Sequence, residues 1–403
     1  MKKILIPNAT SPKNIGDQAM LESLVALVTA CNRKSSICVQ GIDPELHSSR
    51  LYKTMSSLYG WSVLSTTNPA LRLYRLFLVF IGYLSLKFGY VSLHLLPNTL
   101  QKILNQYQQA NTILFVGGGY FRSSKGVKQS LNLFMQLAPF LFANLFQSKK
   151  IVCPISFGPF AYAWQEKMTA SIFTDYTLIS TREHISYAVL KKYGIKNLIL
   201  STDHALLLNV NQRTQSRKKN KYLIIGITVR NWGSRTKQYR FENELAHALY
   251  TVSHIMNIKI LPIIQVDAPE YGDNDSEVTE RIIKQLKKKN MSVLPLRVNK
   301  SLKYAIETYS RIDLLIGMRM HSNILSAIQY KPFIGIAYEH KTKGIAEQLG
   351  MNDFVIELSQ IEKIPSLVLK VGKSYQTIKK TLKERLESLR RDEIYRWKIL
   401  LKV

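Results

Sequence analysis

The sequence predicts an α/β protein made of two Rossmann-like domains followed by a C-terminal helix. Three observations predict it. Apolar runs of strand length alternate with helical patterns along the chain. The alternation breaks at the polar, basic stretch NVNQRTQSRKKNK, from Asn209 to Lys221, and then restarts. Finally, 403 residues suffice for two ordinary domains.

In the first half, KILIP reads as a strand and leads through a loop to a helix over Ala19–Thr29. Met20, Leu21, Leu24, Val25 and Val28 share one face of that helix. TILFVGGG (Thr112–Gly119) is a strand that feeds a buried crossover helix over Ser130–Ser148, which Pro139 should kink. IVCPISFGP leads to a helix around Trp164–Phe173. YTLISTRE leads to HISYAVLKKYG, a helix stopped by Gly194, and NLILSTDHALLL closes the half. The second half repeats the scheme: YLIIGITVR, a helix around Glu242–Met256, KILPIIQVD, a helix around Ser276–Lys289, the strand MSVLPL, a helix around Leu302–Ser310, DLLIGMRMH and PFIGIAY. Ser374–Val403 is a charged helix whose Ile378, Leu382, Leu386 and Leu389 make a stripe that should pack back on the body. The expected boundaries are an N-terminal domain over 1–210, a linker over 211–221, a C-terminal domain over 222–373 and a helix over 374–403. This organisation is GT-B-like, with ligands expected in the interdomain cleft at the carboxyl ends of strands.

Composition narrows the partners. The chain is 46% apolar and 21% charged, which is globular. Cys31, Cys38 and Cys153 show no CxxC spacing and no disulfide framework, and the five-residue apolar run in MKKILIPNAT is too short for a signal peptide. Both point to the cytoplasm. A formal charge of +29 favours anionic partners, although a lysine-rich codon bias would give the same balance. Without zinc-finger spacing, an RNP-like pattern or a base-reading basic helix, nucleic acid is not expected. Residues 71–97 are apolar, but their uncharged core, Leu76–Leu86, falls short of the roughly 20 residues that span a bilayer. The segment reads first as a buried helical hairpin at a domain edge. Its second reading is a basic, aromatic helix peripheral to an anionic membrane.

Candidate site residues cluster at predicted strand ends. Asn14, Gly16 and Asp17 follow the first strand, where Gly16 allows close backbone approach and Asp17 could cap a helix. Gly117, Gly118 and Gly119 could form a concavity for an anion or a sugar, or a tight turn. Arg182 and Glu183, Asp203 and His204, and Arg230 each follow an apolar run. Arg319 and His321 sit at a strand-to-helix turn, the positive end of a helix. Tyr338 and Lys341 follow the next strand. Arg, His and Lys from adjacent strand ends suit a multiply charged anion together with an acid or base. Carboxylate or histidine clusters at metal spacing are missing, and DAPEYGDNDSE (Asp267–Glu277) reads as a solvated loop or a helix start.

NIGDQAM, FVGGGYF, ISFGPF, STREHISYAVLKKYG, TDHALLL, GITVRNW, IGMRMHSNILSAI and IGIAYEHKTKG occur in the order and spacing of the polysaccharide pyruvyl transferases, which the chain resembles from its first strand to about residue 350. The resemblance implies a GT-B-like enzyme that needs no cofactor and uses phosphoenolpyruvate as donor. Pyruvate would be placed as a ketal on two hydroxyls of a glycan, possibly lipid-linked, and phosphate released. It maps the family's basic and histidine positions onto Arg182, Arg319, His321 and Lys341. His321 is then expected as general acid/base, with Arg319, Lys341 and Arg182 on phosphate and carboxylate and Asp17, Gly118 and Gly119 on the acceptor side. His204 and His340 receive no role. The nearest rival is a GT-B nucleotide-sugar glycosyltransferase, and a more distant one is a non-catalytic anion-binding or membrane-peripheral scaffold. Acceptor sugar, pathway and oligomeric state are not readable from the chain.

Overall fold

The computed structural model describes residues 2–401 apart from 33, 48, 90, 91 and 211–220. The chain divides into two compact units. Unit 1 comprises the N-terminus to Pro12, Met20–His204 and the chain from Trp397 onward, and unit 2 comprises Lys13–Ala19 and Ala205–Arg396. The division therefore falls between 204 and 205, not at 210. Apart from Lys221, the expected linker over 211–221 lies outside the described residues.

Unit 1 is built on a parallel sheet of β1 (Lys3–Ala9), β2 (Ser36–Gly41), β3 (Lys53–Ser56), β4 (Thr112–Phe115), β5 (Gly118–Phe121), β6 (Lys149–Phe157), β7 (Leu178–Thr181) and β8 (Leu198–Leu200). Their order is β3-β2-β1-β4-β6-β7-β8, with β5 also on β6. The sequence order reverses between β1 and β4, as in a doubly wound sheet. Asn8 marks that point: its side chain accepts from Val116 N at 2.8 Å and donates to Val116 O at 3.1 Å, carrying the pairing past the end of the ladder. The helices are α1 (Ile15–Cys31), α2 (Pro69–Phe88), α3 (Asn98–Gln109), α4 (Val127–Ala143), α5 (Ala163–Ser171) and α6 (His184–Lys192). An aromatic core fills the space between sheet and helices, with Phe115 stacked on Phe140 at 4.0 Å and Phe121 edge-on to Phe173 at 5.3 Å.

Two expectations for this unit change. Helix α1 starts at Ile15 rather than Ala19, because the Asn14 side chain accepts from Gly16 N and donates to the Asp17 carboxylate, which closes the first turn. Besides a short 3-10 turn at Leu93–Leu95, residues 71–97 hold most of one 20-residue helix, α2, rather than a buried hairpin. Asn68 accepts from the amides of Ala70 and Leu71 at its start, and Gly89, at φ 72°, ends it. Its inner face is the narrow stripe Val79, Gly82 and Ser85.

Unit 2 carries the parallel sheet of β9 (Leu223–Thr228), β10 (Ile258–Ile264), β13 (Arg297–Val298), β14 (Leu314–Gly317), β15 (Phe333–Ala337) and β16 (Val355–Glu357). The order β13-β10-β9-β14-β15-β16 is the doubly wound 3-2-1-4-5-6 arrangement, and it reverses between β9 and β14. A two-stranded antiparallel hairpin, β11 (Asp267–Ala268) with β12 (Asp273–Asn274), follows β10. Helices α7 (Arg235–Ile255), α8 (Ser276–Lys288), α9 (Leu302–Ser310), α10 (Met320–Ala327), α11 (His340–Gln348) and α12 (Ile364–Lys373) complete the layers. The strand expected at MSVLPL shrinks to a bridge between Val293 and Ile260. Pro295 has no amide to donate, and pairing resumes only at Arg297.

The C-terminal helix, α13 (Tyr375–Leu401), packs back as its stripe predicts, with Leu382 and Leu386 fully buried. Arg390 donates to the carbonyls of Leu206 and Leu208 within unit 2. Trp397, at the other end, is buried in unit 1 with its indole N–H 3.3 Å from Ser201 Oγ. Two Rossmann-like α/β units and a returning helix make the GT-B-like fold class.

Candidate functional site

In unit 2 the carboxyl ends of β9, β14 and β15 lie side by side, and β9 and β14 flank the point where strand order reverses. That point is where a doubly wound sheet leaves room for a ligand. The turn after β14 is held from three directions. Ser322 Oγ hydrogen-bonds Thr228 Oγ1 at 2.6 Å, tying α10 to β9. Met318 N donates to Thr228 O. Gly317 has no room for a side chain, since a Cβ there would come 2.1 Å from Asn323 Oδ1. The sequence GMRMHSN thus folds as a strand whose first helical turn doubles back on it, presenting Arg319 and His321 at the start of α10.

His321 is half-buried against the turn Lys13–Ala19. A methyl group on Gly16 would come within 2.1 Å of His321 Cγ and Nδ1, so glycine is what lets the ring lie there. The same turn is fastened to unit 2 by a bridge between Asn14 and Val266 and an ion pair between Lys13 and Glu270 at 2.5 Å. Asn14, Gly16 and Asp17, expected on the N-terminal, acceptor side, are therefore neighbours of His321 in the second unit. No local pattern in NIGD says which unit the loop packs on.

Arg319 is not an open cation. Its Nε donates to Asp275 at 3.1 Å, Nη1 to Asp273 at 2.9 Å, and Nη2 to both carboxylates at 2.5 Å. Burial opposes its charge, but Asp275 and Asp273 more than offset that and hold its pKa above the ordinary arginine value. Burial pushes the Asp275 carboxyl up, against the pull of Arg319. Asp275 also accepts from Val266 N at 3.1 Å. The loop read from sequence as solvated thus supplies the two carboxylates that fix Arg319, and its position directly after β10 was the available signal.

Two cations remain half-buried at the strand ends. Arg230, after β9, donates to the Tyr338 hydroxyl at 2.8 Å and stacks over its ring at 5.0 Å; Asp273 lies 3.6 Å from its guanidinium. Lys341 sits 5.8 Å from the centre of the same ring and pairs with Glu339 at 2.7 Å. Tyr338 thus carries a cation contact from each of two strand ends.

The expected residues of unit 1 are placed differently. Arg182 is buried, donating to Asp203 at 2.6 Å and to Ser156 at 2.8 Å, with Glu183 3.8 Å away. That network joins the ends of β6, β7 and β8, and it leaves the guanidinium spent on protein groups. Gly117–Gly119 form no turn or nest: Gly118 begins β5, paired with Ile155, and a Cβ on Gly117 would lie 2.3 Å from Pro154 O. The missing side chain of Gly117 serves close strand packing. His204 lies buried edge-on to Trp397, and burial lowers its pKa to about 4. Among the described residues, no group of three or more His, Cys, Asp or Glu is placed to hold a metal ion.

Comparison with known proteins accords with this architecture. The chain is similar over 96% of its length to the UDP-N-acetylglucosamine 2-epimerase of Neisseria meningitidis (TM-score 0.55, 10% identity, 99% of that chain covered). It is similar over 99% of its length to a trehalose 6-phosphate synthase of Burkholderia multivorans (TM-score 0.54, 10% identity, 97% covered). At such identity the likeness is one of fold. The amylovoran biosynthesis protein AmsJ of Erwinia amylovora is 23% identical over 282 residues, 66% of each chain. Residues 14–340 match the family model for polysaccharide pyruvyl transferase. With that span covering most of its 403 residues, the chain belongs to the polysaccharide pyruvyl transferase family.

Proposed function

We propose that the protein transfers pyruvate from phosphoenolpyruvate onto two hydroxyls of a sugar in a cell-surface or exopolysaccharide, or its lipid-linked precursor, as a ketal. The observation that carries this reading is the placement of Arg230, His321 and Lys341 just after three neighbouring strands of one sheet, β9, β14 and β15, with Arg230 and Lys341 both on the Tyr338 ring. Phosphoenolpyruvate has a phosphate and a carboxylate, about three negative charges at neutral pH, so it needs cations at more than one point. Arg230, Lys341 and the amino ends of α10 and α11 supply them. His321 protonates the methylene carbon, and the C2 cation that results is attacked by one sugar hydroxyl. The C2–O bond to phosphate then breaks as the second hydroxyl closes the ketal. One hydroxyl proton replaces the proton given to the methyl group, and the other leaves with phosphate.

Arg319 has a different role in this scheme from the anion clamp the sequence suggested. Fixed by Asp273 and Asp275, it is a positioning residue that sets the turn carrying His321. Arg182, in the same way, organises strand ends in unit 1. In this reading Asp17 and Asn14, in the turn that lies against His321, orient an acceptor hydroxyl, and Tyr338 offers a further donor. Cys31, Cys38 and Cys153 form no disulfide among the described residues, which is in keeping with a reducing, cytoplasmic setting.

Phosphate release from phosphoenolpyruvate, measured over a panel of lipid-linked glycans, tests the reading. His321→Ala should abolish release with an unchanged melting temperature, and turnover like the parent's would remove the imidazole from the mechanism. Lys341→Ala should raise KM for phosphoenolpyruvate by roughly tenfold or more, as expected for a lost charge-assisted contact. Thermal stabilisation by a UDP- or GDP-sugar instead of phosphoenolpyruvate would favour the glycosyltransferase rival.

A further inference from the structure

Between Glu45 and Glu166 the chain holds 11 Lys or Arg residues and neither Asp nor Glu. At the chain's average of 27 acidic residues in 403, such a stretch of 120 would hold about eight. This acid-free segment lies within unit 1 and includes α2, α3 and α4. Within it, α2 turns an apolar row to solvent. Leu73 is 70% exposed, and Tyr74, Phe77 and Phe80 are each 56% exposed. Leu73, Phe77 and Phe80, at i, i+4 and i+7, share one helix face. Single exposed hydrophobics are ordinary in soluble proteins, but a row of bulky ones marks an interaction surface.

From this we infer that α2 docks unit 1 on an anionic lipid bilayer, lying in the plane of the headgroups. Length and composition alone would let α2 cross a membrane, contrary to the sequence expectation, because the helix runs over 20 residues and not just the uncharged Leu76–Leu86. Its opposite face is already taken, however: a Cβ on Gly82 would lie 3.1 Å from Leu104 and 3.4 Å from Leu96, so the helix is seated on the unit's own core. A helix with one face docked and the other apolar and aromatic fits the interface, not the bilayer interior. The charges complete the argument. Arg72 and Arg75 donate to the carbonyls of Thr66 and Trp61 rather than to carboxylates, and Lys87 is exposed with its ammonium over the rings of Phe88 and Tyr83. Cations beside an apolar row suit acidic headgroups above acyl chains. A second copy of the chain is a poorer occupant, since a two-fold interface would set this acid-free surface against itself. Neighbouring α4, reached from α2 through the edge-on contact of Tyr83 with Phe142, exposes Val127, Leu131 and Phe134 as well.

Co-sedimentation of the full chain with vesicles tests the surface and requires no turnover, so it stands or falls apart from the reaction proposed above. Vesicles of phosphatidylcholine with ~30% phosphatidylglycerol should bind the protein, and pure phosphatidylcholine should not. The double variant Phe77→Ser, Phe80→Ser should lose roughly tenfold or more in partitioning at an unchanged melting temperature, because both rings are exposed. Three results would overturn the proposal: no sedimentation of the parent with acidic vesicles, parent-like binding by the double variant, or a concentration-dependent dimer that the double variant dissolves while vesicles stay bare.

Discussion

Neither ring nitrogen of His204 finds a hydrogen-bond partner, and the imidazole packs edge-on to Trp397 at 4.6 Å. A protonated ring is costly in such a place, which is why the pKa falls from 6.5 to about 4. Between those values the unfolded chain binds a proton that the folded chain does not, so stability must fall as pH falls. Two and a half pKa units correspond to about 3 kcal/mol lost by pH 4. Urea titrations from pH 7 to 4 should show the loss, and His204→Phe should flatten it while leaving neutral-pH stability equal or higher. A pH profile shared by parent and variant would reject His204 as its source. Gly16 makes a comparable point about geometry. The residue has no chemistry of its own, yet its missing side chain is the space His321 occupies.

At the level of elements, the pair of Arg319 and the β11–β12 hairpin region shows how a loop and a helix start are locked together. Removing the guanidinium strands a fully buried Asp275, and breaking a buried pair from one side typically costs roughly 3–5 kcal/mol. Arg319→Leu should therefore destabilise by about that much in urea unfolding, and adding Asp275→Asn should recover a good part of it. Equal stability of the single and double variants would mean the carboxylate is not the stranded group. The strand ends that hold Arg230, Arg319, His321, Tyr338 and Lys341 were legible in the sequence, because each polar residue follows an apolar run that can only be a buried strand. The carboxylates of Asp273 and Asp275 were not, since their partner is more than 40 residues away and the loop's local pattern is that of any solvated turn. For α2 the sequence left two readings, a buried hairpin and an interfacial helix, because both faces of the helix are apolar and periodicity could not say which one the core takes. Gly117–Gly119 illustrate the opposite error. Three glycines read as a ligand cradle or a tight turn, whereas the structure uses Gly117 to bring the chain close to the Pro154 carbonyl.

On the scale of the molecule, the two sheets share one winding order, and sequence periodicity gave the division into two α/β halves but not β2, β3, α3 or β16. What it could not give is the exchange of short segments between them. Trp397 is buried in unit 1 although most of its helix belongs to unit 2. Trp397→Ala should cost roughly 3–5 kcal/mol, the usual penalty for emptying a buried indole site, and should release the Ser201 hydroxyl from the indole N–H. Chemical denaturation followed by the fluorescence of the other three tryptophans would measure it, and a change under about 1 kcal/mol would mean the site closes over the cavity. The exchange has a practical outcome for anyone dividing the gene. A cut at codon 205 would leave the first product without its closing indole and the second without the loop that seats its histidine. Joining the last seven residues to the N-terminus would return the indole to the first product, whereas Lys13–Ala19, which lies between Pro12 and Met20, would have to be supplied to the second as an added segment.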